Sequence, residues 1–459
     1  SRWNPQNTPD ITIAPTINSF SPVSGQAGTL VTINGSYFNT AAAKNLVRFN
    51  GIQAVVTSAT ANKLTAIVPP GALTGLITVL NTGAKTVGRS PTKFTFLVPK
   101  LTAMPTTLFE SAIGFDANRD ADYLPCDLDN DGKVDVVGFG ADGVIGFFKN
   151  ITNPGSINAV SFAGRINIVN TENIKDVKFA DMNGDGKLDI LTAAEYGSMQ
   201  IYLNKGAPGE PLTAASFKKF AIPIGYANIA GSIKSIGDMD HDGKLDIVLD
   251  LTTYVSDYNY KETVILRNIT GKDDDGISFL PAEHFSREKD IYLDSELTEF
   301  LTLLPAGKYV DVDIDGDNKT DMLPIVYGVT PSSSTIYRNT SGGSVKFTGP
   351  VSFDSTPAPL NYLAQDITGD GKPELWRTSN RSDTYLTLFV NATSPGGPLN
   401  STTLKKYSLP NGTFSNTGSN FFADFDGDNR PDILSKGTGG GFSVSRFNTN
   451  VVRAPIVTS

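Results

Sequence analysis

Six segments of the 459-residue chain are written to one template: DLDNDGKVD from Asp127, DMNGDGKLD from Asp181, DMDHDGKLD from Asp238, DIDGDNKTD from Asp313, DITGDGKPE from Asp366 and DFDGDNRPD from Asp424. Their starts lie 54, 57, 75, 53 and 58 residues apart. A chain that repeats itself at such a period folds as a series of like supersecondary units, and a period near fifty suits the four-stranded blade of a propeller. Two further marks recur in phase. An apolar strand ending in Asn follows each loop start by 23 to 30 residues, at Asn150, Asn204, Asn268, Asn339, Asn391 and Asn448. An apolar residue then opens the last strand of the unit, at Phe162, Phe217, Phe279, Phe347 and Leu404, and the sixth copy is missing before Ser459. Phe109, 18 residues ahead of Asp127, offers a matching segment, so a strand at about 106–113 is expected to complete the last blade. The expectation is a ring of six blades, with seven as the alternative.

Oxygen-bearing side chains at positions 1, 3, 5 and 9 of such a loop can converge on one hard cation, with the position-7 carbonyl as a further ligand. The candidates are Asp127, Asp129, Asp131, Lys133 and Asp135; Asp181, Asn183, Asp185, Lys187 and Asp189; Asp238, Asp240, Asp242, Lys244 and Asp246; Asp313, Asp315, Asp317, Lys319 and Asp321; Asp366, Thr368, Asp370, Lys372 and Glu374; and Asp424, Asp426, Asp428, Arg430 and Asp432. The Lys or Arg of each set contributes only its backbone carbonyl. Position 6 needs a left-handed turn, and it holds Gly132, Gly186, Gly243, Asn318, Gly371 or Asn429. The two loops with Asn there have Gly at position 4 instead, Gly316 and Gly427.

An EF-hand is excluded, because its bidentate Glu at position 12 is replaced by Gly138, Thr192, Leu249, Pro324, Arg377 and Ser435. Asp, Asn and Gly favour turns without any metal. Four carboxylates within a few ångströms repel, however, and the pattern recurs six times. The expected cofactor is therefore calcium, up to six ions, in a structural role. Loops 2 and 5 are expected to bind most weakly, because Asn183 and Thr368 replace an acid and Glu374 replaces Asp.

Charge divides the chain. Residues 14–98 carry six basic residues and no acid, whereas residues 99–459 have a net charge of −15. That switch marks a module boundary and gives three segments: a leader at 1–13, a first module at 14–98, and a second at 99–459. In the first module the runs TLVTINGSYF, NLVRFNG, KLTAIVP, LITVLNTG and KFTFLV alternate apolar and polar residues between turn signals, as in a small immunoglobulin-like sandwich. The fold class expected is all-β, a sandwich followed by a propeller. One Cys rules out a disulfide framework, two His leave little for a His-rich metal centre, and no run of 18 apolar residues is present. The opening SRWNPQNTPD lacks the order of a signal peptide, and the chain reads as a fragment of a longer protein.

The segment PTINSFSPVSGQAGTLVTINGSYF, with VRFNG and IVPPGALTGLITV, resembles the IPT/TIG domain. That resemblance implies a spacer or interaction module; six scattered cations do not argue for nucleic acid. The six loops make the remainder, about 101–455, similar to the FG-GAP/VCBS family, whose calcium-looped blades also occur in integrin α chains. Such propellers serve unrelated functions, so the likeness speaks to fold and calcium rather than to activity.

The long spacing between loops 3 and 4 contains two insertions. LTTYVSDYNYKET extends the turn between strands 2 and 3, and PAEHFSREKDIYLDSELTEFLTLLPAGKY lies between strand 4 and the next blade. Both emerge opposite the calcium loops. Tyr254, Tyr258, Tyr260, Phe285, Arg287 and Tyr292, beside His284, form a candidate platform for a sugar ring or a protein, although local packing of the tyrosines is the simpler account. No catalytic residue is assigned. His241 and His284 sit in no HExxH or G-x-S-x-G setting, and Cys126 reads as a small buried residue. The function expected is a non-catalytic, monomeric recognition or adhesion protein at a bacterial surface or secreted, binding a glycan or an extracellular protein. A calcium-dependent polysaccharide lyase and a structural spacer are the alternatives.

Overall fold

The computed structural model describes the chain apart from residues 1–12, 100–102, 106–108, 116–119, 121, 141–142, 171–173, 195–198, 208–209, 223–228, 238–241, 256–257, 272–275, 282, 287–307, 316, 318–320, 326–333, 341–346, 355–360, 379–384, 395, 411–419, 437–440, 449–452 and 456–459. The first module has eight strands: Thr16–Ser21, Ser24–Gly25, Leu30–Ser36, Asn45–Phe49, Ile52–Thr60, Lys63–Ile67, Gly75–Asn81 and Thr86–Phe96. Ile52–Thr60 joins its two layers. Ile52 to Ala54 pair with Asn45–Phe49, and from Val55 onward the strand pairs with Lys63–Ile67, that second pairing slipping register between Val56 and Ser58. A strand that changes partners part-way along is how a sandwich turns its corner. Alternate residues of these strands, among them Val31, Ile33, Val47, Phe49, Leu64, Ile77 and Phe94, close the core with almost no exposure.

The second module is a ring of six four-stranded antiparallel sheets. Five blades are contiguous in sequence. Blade 1 comprises Asp122–Cys126, Asp135–Phe139, Val144–Phe148 and Ile166–Asn170, and blade 2 comprises Ile174–Ala180, Asp189–Ala194, Met199–Asn204 and Phe217–Ala221. Blade 3 is built from Ile229–Gly237, Asp246–Val255, Tyr258–Leu266 and Glu283–Ser286. Blade 4 follows with Lys308–Val312, Asp321–Ile325, Ser334–Asn339 and Phe347–Asp354, and blade 5 with Asn361–Gln365, Glu374–Thr378, Tyr385–Asn391 and Leu404–Pro410. Blade 6 takes three strands from the C-terminal end, Asn420–Ala423, Asp432–Lys436 and Phe442–Ser445. Its outer strand comes from the N-terminal side of the ring, Ile113–Phe115, paired Ile113↔Val444 and Phe115↔Phe442.

The second strands read as unbroken apolar runs because both faces are covered: DVVGF and DILTAA are buried at every position. Successive blades share cores. Leu191, Ile201 and Met199 of blade 2 meet Ile233, Leu249 and Val264 of blade 3. The closing seam is aromatic, with Phe115 stacked on Phe442 at 5.0 Å and Phe162 edge-on to both. No helix among the described residues is long and apolar enough to cross a membrane.

The two modules touch on the face that carries the acidic loops. Val87 N donates to Gly243 O of loop 3 at 2.7 Å, and Arg48 Nη2 donates to Gly186 O of loop 2. Gly186 makes this approach at a φ of +94, where a side chain is strained, and a Cβ there would also press on Leu46 Cδ1 at 2.1 Å. A cleft of about 220 Å³ remains between the modules, lined by Arg48, Lys85, Arg89, Asp181, Asn183 and Lys244 among others.

Candidate metal centre

Each acidic loop connects strands 1 and 2 of its blade. In loops 1, 2 and 6 the position-1 carboxylate stays inside the turn and accepts backbone N–H groups from positions 5 and 6, while in loop 5 Asp366 accepts them from positions 4 and 6, Gly369 and Gly371. Asp127 takes Asp131 N and Gly132 N at 3.1 Å each; Asp181 takes Asp185 N at 3.0 Å and Gly186 N at 2.8 Å; Asp424 takes Asp428 N at 3.1 Å and Asn429 N at 2.9 Å. Such bonds fold the loop around one centre. Position 5 adds a second turn by accepting the position-7 N–H, as Asp131 does from Lys133 and Asp428 from Arg430. Position 6 is left-handed in every described copy, at Gly132, Gly186, Gly243, Gly371 and Asn429. Position 4 is left-handed as well, at Asn130, Gly184, Gly369 and Gly427. Gly427 therefore does not stand in for a missing glycine at position 6; both positions carry the turn.

Each oxygen of the position-9 carboxylate accepts a backbone N–H and keeps a further lone pair. One oxygen accepts the position-2 N–H, and the other accepts the N–H at the end of strand 3: Asp135 takes Leu128 N at 3.2 Å and Asn150 N at 2.8 Å, and Asp189 takes Met182 N and Asn204 N at 2.8 Å each. Asp321 and Asp432 repeat the arrangement, as does Glu374, whose longer side chain reaches Asn391 N only at 3.5 Å. The Asn mark itself ties blades together. The Asn150 Nδ2 donates to Val134 O at 2.8 Å and to Phe425 O of the preceding blade's loop at 2.9 Å. Asn204 and Asn268 reach back in the same way to Leu128 O and Met182 O, and Asn391 to Ile314 O.

Blade 6 departs from the expected alignment. The residue that donates to Asp432 is Phe447, not Asn448. Only a backbone N–H is required there, so an apolar side chain fits the position. Phe447 packs edge-on to Phe109 at 5.4 Å, and Phe109 packs on Trp376 of blade 5. A greasy joint thus replaces the amide stitch where the ring closes.

Carboxylate oxygens from positions 1, 3 and 9 converge in three loops: Asp127, Asp129 and Asp135; Asp313, Asp315 and Asp321; Asp424, Asp426 and Asp432, each set lying within 4.8 Å of one another. Burial drives these groups toward protonation, with repulsion from their neighbours adding to it. Asp127, Asp321 and Asp424 are pushed up to about 7, and Asp135 and Asp432 well above the usual carboxylate range. Loop 2 follows the same rule: burial raises Asp181 to about 6 while Arg48 opposes it. Asp366 also rises to about 6 through burial, and Glu374 rises strongly. A set of hard oxygen donors that is costly to ionise by itself and lies in a wrapped loop fits a hard divalent cation.

Lys149, Arg338 and Arg446 were not legible as part of the site. They stand one residue before the backbone N–H that position 9 accepts from the strand-3 side, and pair with position 3: Lys149 with Asp129, Arg338 with Asp315 and Arg446 with Asp426. Lys149 also reaches Asp131 at 2.8 Å, and Arg446 reaches Asp428 at 3.1 Å. Cys126 is buried beside Asp135, Asp127 and Asp129, and burial followed by those charges raises its thiol well above normal, which suits a packing role.

Several candidates lie outside the described residues: Asp238, Asp240, Lys319, Arg287 and Tyr292, together with His241 and Asn318. Tyr254, Tyr258 and Tyr260 lie in the hairpin of blade 3, registered Tyr254↔Asn259, Tyr258↔Val255 and Tyr260↔Thr253. Phe285 corrects the position of the second insertion. It lies in the fourth strand of blade 3, opposite Thr263, so that strand, Glu283–Ser286, falls wholly within the segment expected to be insertion.

The IPT/TIG domain family matches residues 15–96, and the FG-GAP-like repeat family matches 127–192, 181–249 and 313–377. A T-cell immunomodulatory protein homolog of Plasmodium falciparum is 25% identical over 238 residues, 44% of this chain and 32% of that protein, so the chain spans about a third of that relative's length. Among solved structures, an auxiliary nutrient binding protein from Bacteroides ovatus aligns at 13% identity over 97% of this chain and 99% of its own, with a TM-score of 0.32. A putative phosphatase from Bacteroides thetaiotaomicron aligns at 12% identity over 96% and 99%, TM-score 0.29. The Tc holotoxin pore of Photorhabdus luminescens aligns at 14% identity over 93% of this chain and 18% of its own, TM-score 0.42.

Proposed function

Because the chain is an IPT/TIG domain followed by FG-GAP-like repeats forming a six-bladed propeller, we propose that its acidic loops bind calcium and that the calcium-stiffened propeller is a non-catalytic recognition scaffold. The observation that carries the calcium reading is the convergence of buried position-1, -3 and -9 carboxylates in three separate loops. Each ion would neutralise groups whose ionisation burial opposes, and would join strands 1 and 2 of a blade. An ion bound only by the folded chain stabilises it by about 2.7 kcal/mol when calcium is a hundredfold above its Kd. Sites of modest affinity would fill in an extracellular setting, where the chain is proposed to act.

The first module occupies the loop face, through Arg48, Val87 and the cleft beside loop 2. The opposite face is therefore the proposed ligand face. The blade 3 hairpin that carries Tyr254, Tyr258 and Tyr260 turns there, since it reverses at the far end of Asp246–Val255 from the loop. A glycan or an extracellular protein is the proposed ligand, the aromatic rings offering stacking surfaces. The test is a glycan and surface-protein array probed in calcium, repeated with Tyr258→Ala/Tyr260→Ala. Binding that survives both replacements would refute the site, and appearance of cleaved product on a bound polysaccharide would refute the non-catalytic reading.

A further inference from the structure

Comparison of the six blades shows one correlated pair. Position 3 is acidic in loops 1, 3, 4 and 6, at Asp129, Asp240, Asp315 and Asp426; the residue one before the N–H donor to position 9 in those blades is Lys149, Arg267, Arg338 and Arg446. Position 3 is neutral in loops 2 and 5, at Asn183 and Thr368, and there the partner residue is Leu203 and Val390. Acid and cation appear together or disappear together. The contact is direct wherever both partners are described, at Lys149–Asp129, Arg338–Asp315 and Arg446–Asp426. In each the carboxylate is fully covered while the cation keeps some solvent access, 24% for the Lys149 side chain and 14% for Arg446. The cations are thus held at the rim of the loops, against buried charge.

We propose that this strand-3 cation is a built-in counter-charge that equalises the six loops, so that each presents about the same net charge to a single divalent ion. The proposal rests on the calcium reading above. Every loop carries a basic residue at position 7, namely Lys133, Lys187, Lys244, Lys319, Lys372 and Arg430. Loops with four carboxylates carry a second cation from strand 3, and loops with three do not; both kinds come to a net charge of −2. One divalent ion cancels that. Loops 2 and 5 are then not deficient for want of an acid, because their blades also omit the cation that would compete for it. Loop 2 is set apart for a different reason: Arg48 of the first module donates to Gly186 O and adds a further positive charge near Asp181. Position 3 keeps a role in ion binding through its second oxygen, since a carboxylate can accept the cation on one side and a metal on the other.

The test uses the full chain and two variants, Lys149→Met and Lys149→Met/Asp129→Asn. The double variant rewrites blade 1 in the manner of blade 2. Ions retained per chain are counted by native mass spectrometry across buffered free calcium, and thermal unfolding is followed without calcium. Removing one positive charge a few ångströms from the ion is expected to shift one loading step to lower free calcium by on the order of five- to twenty-fold. It is also expected to lower the unfolding midpoint of the calcium-free chain. The double variant is expected to return both quantities toward the unaltered protein. An Lys149→Met chain whose loading steps are unmoved, or a double variant whose effects are the sum of two independent losses, would overturn the counter-charge. An unaltered chain that retains no calcium would overturn the calcium reading and this proposal with it.

Discussion

Removing the Asn150 side chain tests whether blades are tied through their loops. Asn150 is 1% exposed and makes four side-chain hydrogen bonds. Its Nδ2 donates to Val134 O and Phe425 O, and its Oδ1 accepts Thr152 N at 2.9 Å and Thr152 Oγ1 at 2.6 Å. In Asn150→Ala, Phe425 O keeps the Thr152 hydroxyl as donor at 2.9 Å. Val134 O and Thr152 N lose the partners Asn150 gave them inside a buried loop. At about 1–3 kcal/mol for each of the two buried polar groups left unpaired, the expected cost is about 2–6 kcal/mol. Asn448→Ala is the matched comparison, because the end-of-strand place in blade 6 belongs to Phe447, and it is expected to cost less than Asn150→Ala. Urea unfolding in saturating calcium, monitored by intrinsic fluorescence, gives both differences. An Asn150→Ala chain no less stable than Asn448→Ala would refute the stitch and the alignment of blade 6 together.

Stability of the calcium-free chain is expected to fall as pH rises from about 4 to 7. Asp127, Asp321 and Asp424 bind protons more tightly folded, at about 7, than unfolded, at 3.8, so their favourable contribution is present below the unfolded value and lost as pH passes the folded one. Saturating calcium should reverse that slope, because the ion binds the deprotonated form; melting curves of dialysed protein at pH 5 and 8, with and without calcium, check the sign. Arg48→Ala should loosen the first module from loop 2 without unfolding either, read as faster proteolysis near residue 100 with unchanged circular dichroism. Gly186→Ala should loosen the same contact and also lower the melting temperature, since a Cβ at its φ of +94 strains loop 2 itself.

The ring and its loops were legible because their information is local. A nine-residue template states its own turns, and a recurring period states that the turns belong to equivalent blades. What escaped is non-local or carried by backbone. Asn448 matched the Asn mark by eye, yet Asp432 asks for an N–H that Phe447 supplies equally well, and side-chain identity is free once the stitch is dropped. Lys149 and Arg446 lie 20 residues from the carboxylates they meet, and only the pairing of strands 2 and 3 brings them back. The seating of the first module on loops 2 and 3 left no periodic trace at all. The change of charge marked it as a separate module; the basic segment in fact lies against an acidic face. Phe109, Phe162 and Phe279 form isolated bridges, to Phe447, Asn150 and Asn268, rather than opening the strands expected of them; the strands proper begin at Ile113, Ile166 and Glu283.

The outer strand of blade 6 sets an order on the making of this protein. Ile113–Phe115 leaves the ribosome before any blade exists, and its partner Phe442–Ser445 follows about 330 residues later. The first module, whose strand pairs all lie within residues 16–96, can fold early by itself. Blades 1 to 5 can then close in turn, each from its own contiguous strands. Through that interval the three-residue strand waits unpaired beside a finished sandwich, and blade 6 has an open edge until the two ends meet. Truncation between Pro410 and Phe442 therefore leaves a chain with five blades complete and its ring unsealed, with Phe115 deprived of the stacking partner that closes the seam.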